Sequence, residues 1–221
     1  MSLFTRIRPA GADRDAQRAR VLRLLSLLLQ YPDAELSAAS AELAGAVAAL
    51  PPTPAARHLA RFTDWFVQEP AHEREKHYVD VFDLRRRTGL HLTYYLHGDT
   101  RRRGLALLAL AQSYRALGWE VADGELPDHL PVALEFAAVA GPGPGEAPLR
   151  RHRRGLQLIH HALRDLDSPY RHLLAALLAL LPPPTAADRE AVRRLAAAGP
   201  PVEEVGLTPY GTPPPTPEAP R

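Results

Sequence analysis

Leucine recurs along this chain at intervals of three and four residues, the spacing that places side chains on one face of an α-helix. The 221 residues include 36 leucines but only 13 valines and isoleucines, the β-branched residues that strands favour. No segment shows the sustained alternation of apolar and polar positions that is typical of a half-buried strand. The pattern therefore predicts an all-α protein, a single compact helical domain of about eight or nine helices.

Capping residues and prolines divide this pattern into individual helices. Pro32 ends a first helix of about 14–30, and Thr53 before Pro54 predicts an N-cap with proline in the first turn. That third helix is expected to bury Leu59, Phe62 and Phe66, and the helix closed by Gly118 to bury Leu107, Leu110, Tyr114 and Leu117. Further helices are predicted over about 33–50 and 71–84, from Asp99 or Thr100 onwards, along 149–166, after Ser168-Pro169, and from Thr185 to about Gly199.

Two prolines decide where the helix after residue 126 begins. Pro127 and Pro131 lie four residues apart, and a helix starting at Pro127 would need an amide hydrogen that Pro131 lacks. Asp128 is therefore the predicted N-cap, with Pro131 in the first turn.

Proline and glycine also outline the domain organisation, because 23 prolines cluster at a few places in the chain. The predicted helical domain spans 14–198, with residues 1–13 as an N-terminal extension. The Gly/Pro linker 141–148 is interpreted as a hinge, which leaves open a monomer or a domain-swapped dimer. Residues 199–221 are rich in proline and are expected to be a disordered tail.

Charge is distributed unevenly although the net charge is only +2. Residues 119–149 contain six acidic side chains and no lysine or arginine, whereas arginine triplets occupy 85–87 and 101–103. Separate acidic and basic surfaces are expected. One interpretation of the triplets Arg85–Arg87 and Arg101–Arg103 is a helical module that binds nucleic acid or regulates another protein.

Several kinds of chemistry are excluded or disfavoured. The absence of cysteine excludes disulfides, thiol catalysis and Cys-based metal sites. His72 and His77 are five residues apart, which puts them on different helix faces and disfavours a shared metal ion. No phosphate-binding loop or nucleophile motif is present, so an enzyme is not expected. No segment is apolar enough to span a membrane, which predicts a cytoplasmic protein.

Four blocks in a fixed order give the chain a resemblance to a known family. They are Leu27-Leu-Leu-Gln-Tyr-Pro-Asp33, Tyr78-Val-Asp-Val-Phe-Asp83, His97-Gly-Asp-Thr-Arg-Arg-Arg-Gly104 and Glu125-Leu-Pro-Asp-His-Leu-Pro-Val-Ala-Leu-Glu-Phe136. Together they resemble the NarJ-type nitrate reductase molybdenum cofactor assembly chaperones, also called delta subunits. The Pro-Asp-His core is similar to that of the wider TorD and DmsD group of redox enzyme maturation proteins.

The resemblance implies a dedicated chaperone without catalytic activity or a stably bound cofactor. It implies binding of the N-terminal leader of the nitrate reductase alpha subunit. The bound subunit would stay competent for insertion of bis-molybdopterin guanine dinucleotide before membrane assembly. Molybdenum cofactor biosynthesis proteins are a second implied class of partner, and nucleic acid is not one. The Gly/Pro linker and the Pro-rich tail match no block of the family.

A leader of this kind carries basic and apolar side chains and forms an amphipathic helix when it is given a groove. Tyr78, Phe82, Tyr94 and Tyr95 are interpreted either as the apolar floor of that groove or as core residues. An acidic rim is predicted at Glu120, Asp123, Glu125, Asp128 and Glu135, while Pro127 and His129 belong to the same candidate peptide-binding site. His97, Asp99 and Arg102 are expected to brace the loop beside Asp128 and His129.

Overall fold

The computed structural model describes residues 11–198, and for 195–198 the backbone alone. This part of the chain forms twelve α-helices and one π-helical turn, with an isolated bridge between His91 and His129 as its only extended pairing. The all-α prediction is confirmed. The predicted tail 199–221 and most of the predicted extension 1–13 lie outside the described residues.

The helices follow one another along the chain as α1 Ala12–Leu28, α2 Ala34–Ala38, α3 Ser40–Ala48, α4 Pro54–Gln68, α5 Ala71–Tyr78, α6 Tyr94–His97, α7 Arg101–Arg115, α8 Leu130–Ala140, α9 Ala147–Arg151, α10 Arg153–Asp165, α11 Arg171–Leu180 and α12 Ala186–Ala198. Their number exceeds the predicted eight or nine for two reasons. The predicted helix 33–50 is interrupted at Ala39, and α6 and α9 are helices of four and five residues in segments predicted as loop and linker.

Two helix pairs build the core. The helices α1 and α8 pack along each other, and the Ser26 hydroxyl donates to the Pro131 carbonyl across their contact at 2.8 Å. The helices α4 and α11 form the second pair. The predicted Leu59, Phe62 and Phe66 are all buried there, and the predicted Thr53 cap accepts a hydrogen bond from the Ala56 amide at 3.1 Å.

The helix predicted over 71–84 changes its winding before it ends. It is α-helical to Tyr78 and continues as a π-helical turn over Val79–Asp83. The wider turn keeps Tyr78 and Phe82 in contact, with ring centroids 4.8 Å apart, and directs both rings toward Tyr170 in the core. Asp83 follows directly at the surface, and π-turns of this kind are frequent beside binding sites.

The helix α7 is packed less completely than the pattern predicts. Leu110 and Tyr114 are buried as expected, but Leu107 is only partly buried and Leu117 is exposed. Leu110 and Tyr114 join Phe136 of α8 in a small cluster separate from the main core. The spacing of apolar residues predicted this helix correctly. Its buried face is narrower than predicted because few other elements pack against α7.

The Gly/Pro linker folds into turns between α8 and α9. Gly141 and Gly143 both have positive φ angles, and a Cβ atom on Gly145 would lie 2.4 Å from the Gly141 carbonyl oxygen. The buried Glu146 then pairs with Arg18 of α1, whose Nη2 lies 2.8 Å from a carboxylate oxygen. The hinge and the domain-swapped dimer stay predictions.

Candidate functional site

A groove with two lobes runs over the first turns of α8 and the irregular segment 116–129 that precedes it. The apolar lobe has a volume of about 300 Å³ and the polar lobe one of about 610 Å³. Glu125, Val132 and Glu135 line both lobes, so the lobes adjoin each other. We call this feature the acidic groove.

The acidic groove is named for its charge. Among residues 11–198, no lysine or arginine lines either lobe, although the whole chain has 27 basic residues against 25 acidic ones. Glu120 pairs at 2.8 Å with Arg115, which lies outside the lining. Its carboxylates come from three separate parts of the chain: Asp33, Asp83, Glu120, Glu125 and Glu135. A groove of this composition favours a ligand that carries positive charge.

The apolar lobe supplies surface that a ligand can bury. The rings of Tyr114 and Phe136 form its wall with centroids 4.0 Å apart, and Tyr114 is fixed by a 2.8 Å hydrogen bond from its hydroxyl to the Pro127 carbonyl. Trp119 lines the same lobe and is 44% exposed. An exposed tryptophan beside a fixed aromatic wall is a typical anchor point for an apolar side chain.

Asp128 lies beneath this groove and is not the helix cap that the sequence predicted. The N-cap of α8 is His129, without a side-chain capping bond, and Asp128 is completely buried. Its carboxylate accepts hydrogen bonds from the amide and hydroxyl of Thr93 and lies 3.3 Å from His91 Nδ1. The prediction was wrong because the Leu130 amide bonds to the Leu90 carbonyl, which turns the segment toward 89–93.

The ionisation of Asp128 is set by these neighbours. Burial by itself raises the pKa of the carboxyl, but hydrogen bonds from His91 and Thr93 and the charge of Arg103 outweigh it, so the pKa is held below its ordinary value. The Nη2 atom of Arg103 lies 3.6 Å from the carboxylate. Asp128 is therefore a buried, ionised carboxylate whose partners come from residues 91–103.

The two histidines of the isolated bridge connect Asp128 to the groove. Their rings lie 5.4 Å apart, and His129 faces the polar lobe with its Nδ1 3.9 Å from Glu125. Burial and then the charge of His91 lower the pKa of His129. His129 is consequently a neutral wall residue at pH 7, positioned beside the acidic rim.

The four predicted aromatic residues lie in or near the core. Tyr78, Phe82 and Tyr95 are buried, and Tyr78 also lines the polar lobe while its hydroxyl donates to the Leu29 carbonyl at 3.1 Å. Tyr94 is partly buried and lines a smaller cleft of about 190 Å³ with Phe82. Of the two interpretations offered by the sequence, burial favours the core for Tyr78, Phe82 and Tyr95.

The predicted brace beside Asp128 exists, but through a different arginine. Arg103 lies 3.5 Å from Asp99 and also reaches Asp128, whereas Arg102 is exposed. Asp99 lies just before the cap residue of α7, and its carboxylate reaches Arg103 in the first turn of that helix. Arg86 lies 3.9 Å from Asp99, so the two arginine triplets meet at that carboxylate, and His97 is partly buried nearby on α6.

Sequence reasoning missed part of the groove. Asp33, Asp83 and the apolar wall residues were not assigned to it, while the predicted Glu125 and Glu135 line both lobes and Pro127 contributes its carbonyl to Tyr114. Asp33 and Asp83 each end a block that carries the family resemblance, which was the available signal. Within residues 11–198, no group of three or more histidine and acidic side chains is placed to hold a metal ion, and no helix is long and apolar enough to cross a membrane.

Comparison with solved structures shows the class of fold. A crystal structure of an Archaeoglobus fulgidus protein described as a redox enzyme maturation protein superposes with a TM-score of 0.54, covering 80% of this chain and 95% of that one. The two chains are 20% identical, so this likeness concerns the helical fold alone.

The family follows from the sequence comparison. The model of the nitrate reductase delta subunit family matches residues 33–176, more than half of the chain, and this chain belongs to that family. The Bacillus subtilis protein named NarJ is 32% identical over 157 residues, which cover 71% of this chain and 85% of that protein.

Two other relatives show how the match varies. The Escherichia coli K12 nitrate reductase molybdenum cofactor assembly chaperone NarJ is 34% identical over 162 residues, covering 72% of this chain and 68% of NarJ. The Mycobacterium tuberculosis nitrate reductase-like protein NarX is 38% identical over 157 residues. That match covers 71% of this chain but only 24% of NarX, so this chain corresponds to about a quarter of that protein.

Proposed function

We propose that this chain is a nitrate reductase molybdenum cofactor assembly chaperone, and that its acidic groove binds the N-terminal segment of the nitrate reductase catalytic subunit. The observation that carries the proposal is the groove itself: on a chain of this family, an apolar lobe lined by Glu120, Glu125 and Glu135 adjoins a polar lobe that adds Asp33 and Asp83, and no lysine or arginine of residues 11–198 lines either lobe. The name of the Escherichia coli relative supports the same function.

The two lobes contribute to leader binding in different ways. The carboxylates attract the basic side chains of the leader and set its orientation, because exposed charges influence encounter and register more than they stabilise the complex. The apolar lobe between Tyr114, Trp119 and Phe136 then buries one face of the leader as it folds into an amphipathic helix. Asp128 and its neighbours hold this surface in shape before the leader arrives.

The consequence for the client is steric. A leader held in the groove is withheld from premature membrane attachment while bis-molybdopterin guanine dinucleotide enters the catalytic subunit. The chaperone acts in the cytoplasm, catalyses no reaction and holds no cofactor of its own. The cofactor biosynthesis proteins approach the client while this complex lasts.

Calorimetric titration of the full chain with a synthetic N-terminal peptide of the catalytic subunit tests the proposal. One peptide is expected to bind per chain and to change the emission of Trp119, assigned with Trp119→Phe. The double variant Glu125→Gln/Glu135→Gln is expected to bind about tenfold more weakly at low salt, since two charges that favour encounter and register are lost. Glu42→Gln, an exposed glutamate of α3, is the matched control.

Three results count against the proposal. They are an absence of binding at high peptide concentration, equal binding of a scrambled peptide, or an equal loss of affinity in Glu42→Gln. A short single-stranded RNA serves as a further ligand. If it binds more tightly than the peptide, with affinity that falls steeply as salt rises, the nucleic-acid alternative is favoured instead.

A further inference from the structure

A second charged feature lies on α4, α10 and α11, which do not line the acidic groove. His58 of α4 and His172 of α11 face each other with their Nδ1 atoms 3.5 Å apart and their rings stacked at a centroid distance of 5.7 Å. Both rings are partly buried. Their remaining nitrogens make no hydrogen bond to the described part of the chain, so each keeps a polar atom free for a ligand.

Arginines surround this histidine pair. Arg61 follows His58 by one helical turn on α4, and Arg164 follows the partly buried His160 by one turn on α10, so each arginine shares a face with its histidine. Arg57, Arg61 and Arg164 are exposed and have no carboxylate partner within residues 11–198. Arg171 is the exception, since it pairs with Asp167 at 2.9 Å. We call the whole set the cationic cluster: Arg57, His58, Arg61, His160, Arg164, Arg171 and His172.

The electrostatics of the histidines agree with this geometry. Burial lowers the pKa of His58, His160 and His172, and the charged groups that lower each pKa further are all cationic. They are Arg57 and Arg61 on α4, His161 and Arg164 on α10, Arg171 on α11, and the facing histidines themselves. A bound anion would relieve this repulsion and allow a histidine to take up a proton.

We infer that the cationic cluster is a binding site for the phosphate group of a small phosphorylated molecule. A guanidinium group matches phosphate oxygens with paired donors, and the facing imidazoles supply further donors between them. A phosphate monoester or diphosphate carries more than one negative charge near neutral pH, which suits a cluster with three unpaired arginines. The same arginines disfavour a metal cation at the histidine pair, because like charges repel.

The cluster is compact, which favours a small molecule over nucleic acid. Binding of a single strand requires a line of cations along the backbone together with aromatic rings on which bases stack. Here the charges converge on one histidine pair where α4, α10 and α11 meet. This site is separate from the proposed peptide groove, and neither depends on the other.

Titration of the full chain with inorganic pyrophosphate at constant ionic strength tests the inference, followed by calorimetry and by the NMR signals of the histidine rings. Saturable 1:1 binding is expected, with proton uptake and an affinity about tenfold higher at pH 6 than at pH 8, since the protonated histidines bind the anion better. Arg61→Gln is expected to weaken binding about tenfold through the loss of a charged hydrogen bond. His172→Gln is expected to reduce the dependence on pH.

The controls separate a site from general attraction of anions. Arg23→Gln removes an exposed arginine of α1 that has no carboxylate partner in the described part of the chain, and is expected to leave pyrophosphate affinity within about twofold of the native value. Equal weakening by Arg23→Gln, equal binding of sulfate, or affinity that does not change with pH would overturn the inference. So would binding of Zn²⁺ without binding of pyrophosphate, or tighter binding of a short RNA that Arg61→Gln abolishes. An unchanged far-UV circular dichroism spectrum and urea unfolding transition of Arg61→Gln show that the variant is folded, whether or not the chain binds a leader peptide.

Discussion

The acidic groove and the cationic cluster concentrate opposite charges, but they are assembled in different ways. Three of the five groove carboxylates, Glu120, Glu125 and Glu135, come from one stretch of the chain that has no lysine or arginine. The cationic cluster takes its side chains from α4, α10 and α11, more than 100 residues apart at the extremes. The acidic stretch that supplies most of the groove carboxylates was therefore visible in the order of residues, whereas the cluster exists only after the helices have packed.

The two regions also differ in how their charges are compensated. Beneath the groove, the buried Asp128 is neutralised by Arg103 and hydrogen-bonded by Thr93 and His91. In the cationic cluster, His58 and His172 need no compensating charge, because their lowered pKa keeps both rings neutral. A buried carboxylate that is paired and hydrogen-bonded holds the surface around it in one conformation. A neutral histidine among arginines can still take up a proton, which happens when the pH falls or an anion binds.

Removal of the buried charge beneath the groove is expected to have the largest effect. Asp128→Ala should lower the free energy of unfolding by about 3 kcal/mol, because Arg103, His91 and Thr93 lose a shared partner in the interior. Urea unfolding followed by circular dichroism measures the change. Asp99→Ala removes an exposed partner of the same arginine and should cost less than about 1 kcal/mol. Equal effects of the two variants would show that Asp128 does not support the groove.

Acid is expected to lower the free energy of unfolding through a histidine of the cationic cluster. Burial lowers the pKa of His160 to about 4, so this ring is neutral in the folded chain and takes up a proton near pH 6.5 when the chain unfolds. The stability from its neutral form is present above pH 6.5 and lost as the pH falls toward 4, by about 2 kcal/mol in total once solvent screening of this partly exposed ring is allowed for. Urea midpoints between pH 7 and 4.5 measure this slope, and His160→Gln should flatten it. The exposed His72→Gln is the control, and an equally flattened slope there would contradict the assignment.

Removal of a single surface charge is expected to have the smallest effect on the free energy of unfolding, and to be stabilising in both regions. Arg61→Gln and Glu135→Gln each remove one of several like charges, so each should raise the free energy of unfolding by about 0.3 kcal/mol. Glu42→Gln should leave it unchanged. Thermal unfolding at low and high salt measures these differences, which should diminish with salt. A clear loss of stability in Arg61→Gln would mean that this arginine already has a partner and that the cluster is not uncompensated.

Much of the fold could be predicted because helices are local structures. The Thr53 cap, the burial of Phe62 and Phe66, and the all-α class all follow from spacing and capping within one or two turns. The π-helical turn at Val79–Asp83 and the break at Ala39 could not be predicted in this way. The π-helical turn depends on side chains from elsewhere in the fold, as the packing of Tyr78 and Phe82 against Tyr170 shows.

The candidate site, like the fold, was predictable only in the features that depend on neighbouring residues in the chain. By itself, the order of residues determined the acidic stretch, the Pro-Asp-His segment and the family blocks, because these are properties of neighbours in the chain. Only the tertiary structure decided that Asp128 supports the groove instead of capping α8, that Arg103 rather than Arg102 reaches it, and that His58 meets His172. Those outcomes depend on contacts between distant residues, whose geometry is set when buried polar groups find their partners during packing.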